Sequence, residues 1–170
     1  AKKPYPRPNL VKGEYRDWQH YLDVQFRLLR EDFVGPLREG INEHLHNPTL
    51  RGGDVRVYRN VKIQQPVCLA MGIGFEISFN MRALRRVNWE YTKRLINGSL
   101  LCLSTDEFQT IAFASVAQRE TKKLVEGIVT VKFEGSVNGF QLHSNAEYTM
   151  VESVAYLEAY RHVLEKLQAV

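Results

Sequence analysis

The hydrophobic periods along the chain predict an α+β fold: a small antiparallel β-barrel, of the OB or SH3 kind, inserted between two long antiparallel stalk helices. Three observations carry this. Residues 18–45 repeat their apolar positions with a helical period. From Arg51 to Phe133 the period drops toward two, with glycine and polar gaps between short runs. From Ser153 the helical period returns. The boundaries that follow are an extended, proline-rich lead-in over 1–16, a first stalk helix over 17–47 with a break at 35–36, a barrel over 48–146, and a return stalk helix over 147–170.

The lead-in carries Pro4, Pro6 and Pro8, which remove donors and disfavour helix in the residues before them. The chain opens on AKKPYPRPNL without a methionine, as a piece of a longer protein or a processed terminus would. Asp17, or a residue just before it, is the expected N-cap. Beyond it Trp18, Tyr21, Leu22, Phe26, Leu28, Leu29 and Phe33 fall in one apolar arc of roughly 160°. Arg16, Asp23, Arg27, Arg30 and Glu31 face the other way. Gly35-Pro36 predicts a kink or a restart, because proline has no N–H and clashes with the preceding turn. The second segment should carry Leu37, Ile41 and Leu45 inward, and Asn47-Pro48 ends it.

The expected strands are the run Val55, Val57, Val61, Ile63; the run Pro66–Phe79; Leu100–Leu103; Thr110–Val116; and Val125–Phe133. Gly72 and Gly74 mark a bulge or a close backbone approach. Strands this short and consecutive favour a barrel, which also removes sheet edges. From Ser153, a fair N-cap, Tyr156, Leu157, Tyr160, Val163, Leu164 and Leu167 share one helical face. That face is the natural cover for the stripe of the first helix.

Composition narrows the function. At 44% hydrophobic and 25% charged, the 170 residues can fold as one domain and do not read as disordered. No apolar run approaches ~18 residues, so no transmembrane helix is expected. The two cysteines, Cys68 and Cys102, sit in apolar runs and read as buried small hydrophobes in a reducing, intracellular setting. There is no phosphate-binding G-x-x-x-x-G-K-[ST], no G-x-S-x-G, and no His or Cys pair at metal-ligand spacing. His44 and His46 are two apart near a helix end and do not share a face. Nothing points to catalysis by this chain alone, and it is expected to hold no metal or cofactor.

Charge is uneven. The net charge is +4, yet residues 51–100 hold nine Lys or Arg against three Asp or Glu, and residues 101–150 hold four against six. The densest segment is Asn80–Gly98, NMRALRRVNWEYTKRLING, where Arg82, Arg85, Arg86, Lys93 and Arg94 face the single acid Glu90, with Trp89 and Tyr91 interleaved. Guanidinium and ammonium groups can follow phosphates, and an aromatic ring can stack on a base. The same pattern also suits a crossover helix in which Met81, Leu84, Val87 and Trp89 plug the barrel and the arginines are merely solvated.

Three long strings give this chain a family likeness. YLDVQFRLLREDFVGPLREGI (Tyr21–Ile41), RALRRVNWEYTKRLINGSLLCLS (Arg82–Ser104) and MVESVAYLEAYRHVLEKLQ (Met150–Gln168) closely resemble the NFX-type zinc-finger RNA helicases, of the Upf-like branch of superfamily 1. The spacing Arg94-Leu95-x-x-Gly98-x-x-x-Cys102-Leu103 is similar to the small barrel of Upf-type helicases generally. The resemblance implies a stalk-and-barrel segment preceding a motor core. It implies a parent that is an ATP-dependent RNA helicase in RNA surveillance, silencing or antiviral defence, with ATP and magnesium in its motor and zinc in its fingers. The motor's phosphate loop and the zinc fingers have no counterpart in these 170 residues.

The expected function is therefore an accessory domain that helps position or grip single-stranded RNA through Arg82, Arg85, Arg86, Lys93 and Arg94. Its expected partners are RNA and the motor domains of the same protein, in the cytoplasm and its RNA granules, with no membrane. The competing expectation is a structural or regulatory interaction domain that packs on the motor or self-associates through Trp18, Phe26 and Phe33, with little RNA contact.

Overall fold

In the computed structural model the described residues are 9–10, 12–47, 55–70, 72–134, 143, 145–156 and 163. Asp17 opens the first element as expected: its carboxylate accepts from the His20 N–H at 2.6 Å and caps the helix α1 (Trp18–His46). The helix is bent but continuous through Pro36. Of the kink or restart expected at Gly35-Pro36, the restart is absent. An interior proline costs about 3 kcal/mol. Burial of Leu37 and Ile41, 2% and 7% exposed, returns about 3–6 kcal/mol by transfer alone, enough to offset that loss. Arg38 adds a two-pronged ion pair to Glu31, at 2.6 and 3.0 Å, which spans the proline turn. Leu45, expected inward, is exposed.

Six strands close one antiparallel barrel in the order β1-β2-β5-β4-β3-β6. They are β1 (Val55–Leu69), β2 (Gly72–Ser78), β3 (Ser99–Ser104), β4 (Ala112–Gln118), β5 (Ile128–Phe133) and β6 (Tyr148–Tyr156). A one-turn helix, α2 (Thr121–Val125), joins β4 to β5 and buries Leu124 in the barrel. The strand expected from Val125 accordingly begins three residues later.

The first two expected strands divide differently from the sequence reading. β1 continues through Pro66 to Leu69, and the chain reverses before Gly72, whose φ of +115° suits glycine. Gly74 is the close approach: a side chain there would meet Leu69 and the Val131 carbonyl. β1 also switches faces. Val55 and Val57 lie outside the barrel under α1, whereas Tyr58, Val61 and Ile63 lie inside it. The switch is a β-bulge between Tyr58 and Val61, where Asn60 takes a φ of +51°.

The largest correction falls at the C-terminal end. Tyr148–Tyr156, including the proposed helix start at Ser153, is the sixth strand and pairs with both β1 and β3. Of the residues beyond 156 only Val163 is described, and it is helical, so the rest of the expected return helix lies outside the described residues.

The core has two layers. Inside the barrel, Tyr58, Val61, Ile77, Phe79, Leu101, Leu103, Val116, Val129, Val131, Tyr148 and Met150 pack together. Outside it, Leu37 and Ile41 of α1 cover Leu100, Cys102 and Val151. β3, SLLCLS, lies between these layers and is buried at every position, which explains its unbroken apolar run. Gly40 lets α1 approach: a Cβ there would overlap the Val55 side chain. Cys102 is buried as expected, and burial pushes its thiol up to about 12. Cys68 is exposed instead, because it lies on the part of the β1–β2 ribbon that runs past the pairing of β1 with β6.

Candidate nucleic-acid interface

The connection between β2 and β3, residues 79–98, carries the basic segment singled out above. It is a chain of turns, with no helix. Asn80, Asn88 and Thr92 explain this: each side-chain oxygen accepts from the N–H two residues on, at 2.8, 3.1 and 3.3 Å, which competes with helix. The apolar side chains turn inward. Leu84, Trp89 and Leu95 are buried in the barrel cluster, and Met81 and Val87 pack against it. Trp89 meets Phe79 at 6.0 Å between ring centroids. The expected plug is therefore present, without the helix.

The cations lie on the other side of the same segment. Arg82, Arg85, Arg86 and Lys93 are exposed, and among the described residues none has an ion-pair partner. Arg94 is placed differently. It is half-buried, its guanidinium lies 6.0 Å from the centre of the Tyr58 ring, and it donates to the Tyr58 hydroxyl at 3.5 Å. Plugging and cation display are thus two faces of one segment.

Three side chains that the sequence reading did not single out hold this connection by its backbone. Arg119, just after β4, donates to the carbonyls of Trp89, Thr92 and Arg94. Arg56 of β1 donates to the Lys93 carbonyl at 2.6 Å. Glu152 of β6, wholly buried, accepts from the Leu95 N–H at 2.7 Å, from the Tyr58 hydroxyl at 2.7 Å and from Arg56 at 3.2 Å. Burial first, and then the charge of Glu152, push the Tyr58 hydroxyl well above its ordinary 10.0, so it remains a proton donor. Leu95 has a φ of +48°, sparsely populated for a branched side chain, and the Glu152 bond fixes it there. The one signal in the sequence was Glu152 itself, an acid inside the apolar string MVESVAY.

The second candidate surface is the first half of α1. Trp18 is 68% exposed and stacks on Tyr21 at 5.3 Å. Phe26 is half-buried, with Arg30 5.8 Å above its ring. The side chain of Phe33 lies outside the described residues. Val24 is fully buried, although the apolar arc read from the sequence did not include it.

Among the described residues no three His, Cys, Asp or Glu side chains gather where they could hold a metal ion. No described helix is long and apolar enough to cross a membrane.

Comparison with known proteins agrees with the family likeness. The chain is 44% identical to the mouse protein "NFX1-type zinc finger-containing protein 1" and 43% identical to its human counterpart, in each case over 99% of this chain and 9% of the relative. It is 38% identical, over 94% of its length, to the Schizosaccharomyces pombe protein "Helicase required for RNAi-mediated heterochromatin assembly 1", of which it spans 16%. The chain thus corresponds to a small part of each of these relatives. The ZNFX1 domain family matches residues 51–154, which takes in all of β1 to β5 and all but the last two residues of β6, and the chain belongs to that family.

Proposed function

We propose that this chain is the accessory barrel-and-helix domain of an ATP-dependent superfamily 1 RNA helicase, and that its 80–98 connection grips single-stranded RNA. One observation carries the RNA part: Arg82, Arg85, Arg86 and Lys93 stand in solvent along one connection whose backbone from Trp89 to Leu95 is tied by Arg56, Arg119 and Glu152, with Arg94 at its base. Phosphates would take the four exposed cations, and a fixed backbone reduces the ordering needed on binding. The name of the fission-yeast relative supports the helicase part. On this reading α1 is the outgoing arm of a stalk, and the barrel is kin to OB or SH3 barrels, for which its small size and antiparallel closure speak. ATP and magnesium belong to the parent's motor, zinc to its fingers, and the setting is cytoplasmic RNA surveillance, silencing or defence.

The test is fluorescence anisotropy of a short single-stranded RNA against the chain over a salt series. Four phosphate contacts predict a slope of log affinity on log salt of about −2.8, a loss of about 50-fold between ~50 and ~200 mM salt. Replacing Arg82, Arg85, Arg86 and Lys93 by glutamine should weaken binding and flatten that slope. Equal affinity and slope for the two proteins would refute direct contact.

The second reading, a self-associating interaction domain, is favoured by the exposed Trp18–Tyr21 stack, with Phe26 and Phe33 on the same arc. It predicts a dimer by sedimentation that Trp18→Ala abolishes.

A further inference from the structure

The connection carries two large aromatic rings, and the fold separates them: Trp89 is 4% exposed in the plug, whereas Tyr91 is 79% exposed. A single exposed aromatic residue is ordinary on a protein surface. The backbone on either side of this one is not ordinary. The carbonyl of Trp89, two residues before, and that of Thr92, one residue after, both accept from Arg119. The next two carbonyls are also taken, Lys93 by Arg56 and Arg94 by Arg119. On the far side Leu95 is tied to Glu152. Tyr91 therefore stands on a stretch anchored on both sides, in a segment with five cations and one acid. Two side-chain torsions are all that remain to be ordered when something lies on its ring.

We propose that Tyr91 is a stacking platform for one unpaired nucleobase of the RNA strand whose phosphates the neighbouring cations hold. This rests on the RNA reading above and adds the base contact to it. The ring supplies what the cations do not. Phosphate contacts respond to salt and are indifferent to whether bases are paired, whereas stacking on an aromatic face requires an unstacked base and is only weakly dependent on salt. A tyrosine so placed makes the site selective for single strands over duplex without reading sequence.

The experiment titrates the chain and its Tyr91 variants against a short oligouridine and against an RNA duplex of equal length. Tyr91→Ala should weaken oligouridine binding between about 5-fold and about 150-fold, the range for loss of one base stack. It should leave the salt slope unchanged and barely alter duplex binding. Tyr91→Trp and Tyr91→Phe should restore oligouridine affinity, and thermal melting should show all variants folded. If Tyr91→Ala binds as well as the parent while the arginine-to-glutamine variant is weakened, stacking is refuted and the RNA reading stands. If the unsubstituted chain binds no single-stranded RNA, the RNA reading fails and the platform with it. If Tyr91→Ala abolishes self-association and leaves RNA affinity intact, the ring is a protein contact and the proposal is overturned.

Discussion

Glu152 offers the sharpest test of how this fold holds its basic connection. Its carboxylate is fully buried and answers three donors: the Leu95 N–H, the Tyr58 hydroxyl and the Arg56 guanidinium. Glu152→Ala removes the acceptor and leaves all three. Arg56 suffers least, since its side chain is 23% exposed and keeps the Lys93 carbonyl. The buried Leu95 N–H and Tyr58 O–H have no such recourse, and each orphaned donor costs about 1–3 kcal/mol. Including the broken ion pair, the expected loss is about 3–5 kcal/mol. Against a total of about 5–15 kcal/mol for a domain, that is a large fraction. At about 2–4 °C per kcal/mol for a chain of this size, the melting temperature should fall by about 6–20 °C. Urea unfolding followed by tryptophan fluorescence reads the loss, because Trp89 packs beside this network. Glu152→Gln keeps the shape and one acceptor, so it should cost less, about 1–3 kcal/mol. Hydrogen exchange should find the Leu95 amide among the most slowed in the parent and fast in Glu152→Ala. A loss below about 1 kcal/mol for the alanine variant, in the range of ordinary surface changes, would show that the carboxylate does not hold the connection.

Two further outcomes follow from the packing. Gly40→Ala should destabilise the chain by about 1–3 kcal/mol, because the added methyl meets Val55, even though alanine is the better helix former; equal or greater stability by urea unfolding would contradict the close approach. An aromatic disulfide reagent at neutral pH should modify one thiol of the folded chain, Cys68, and reach Cys102 only on unfolding, since Cys102 is buried and its thiol is pushed up to about 12.

Where sequence and fold part company, particular residues explain why. Val55 and Val61 are six apart and alternate like one face of a strand, but the bulge at Asn60 sends them to opposite sides of the barrel wall. No alternation pattern announces an extra residue in one strand. Pro36 reads as a kink or a restart, and the helix is bent but does not restart, because Leu37 and Ile41 just beyond it dock on β3 and β6. The sixth strand was hidden by its own function. Tyr148, Met150 and Glu152 face inward, and an acid on the inward face destroys the two-residue period, so the stretch from Ser153, with Tyr156 and the apolar residues after it, reads as helix. Glu152 could be buried only because Tyr58, Arg56 and Leu95 arrive from two other stretches of chain, 94, 96 and 57 residues away.

By itself the sequence determined the first five strands in outline, the capped first helix, the barrel they form and the place of the basic segment, but not the sixth strand. All of these rest on local periods and composition. The family likeness also came from local strings. Only the tertiary structure decided which side of that segment is buried. Trp89 and Tyr91 are two residues apart in one basic loop and look equivalent in one dimension. Trp89 became core because Phe79 and the barrel interior accept it. Tyr91 became surface because Arg56, Arg119 and Glu152, from three other strands or their ends, fix the backbone that turns it outward. Such a division depends on contacts between residues far apart in the chain, which a period of two or of 3.6 cannot encode.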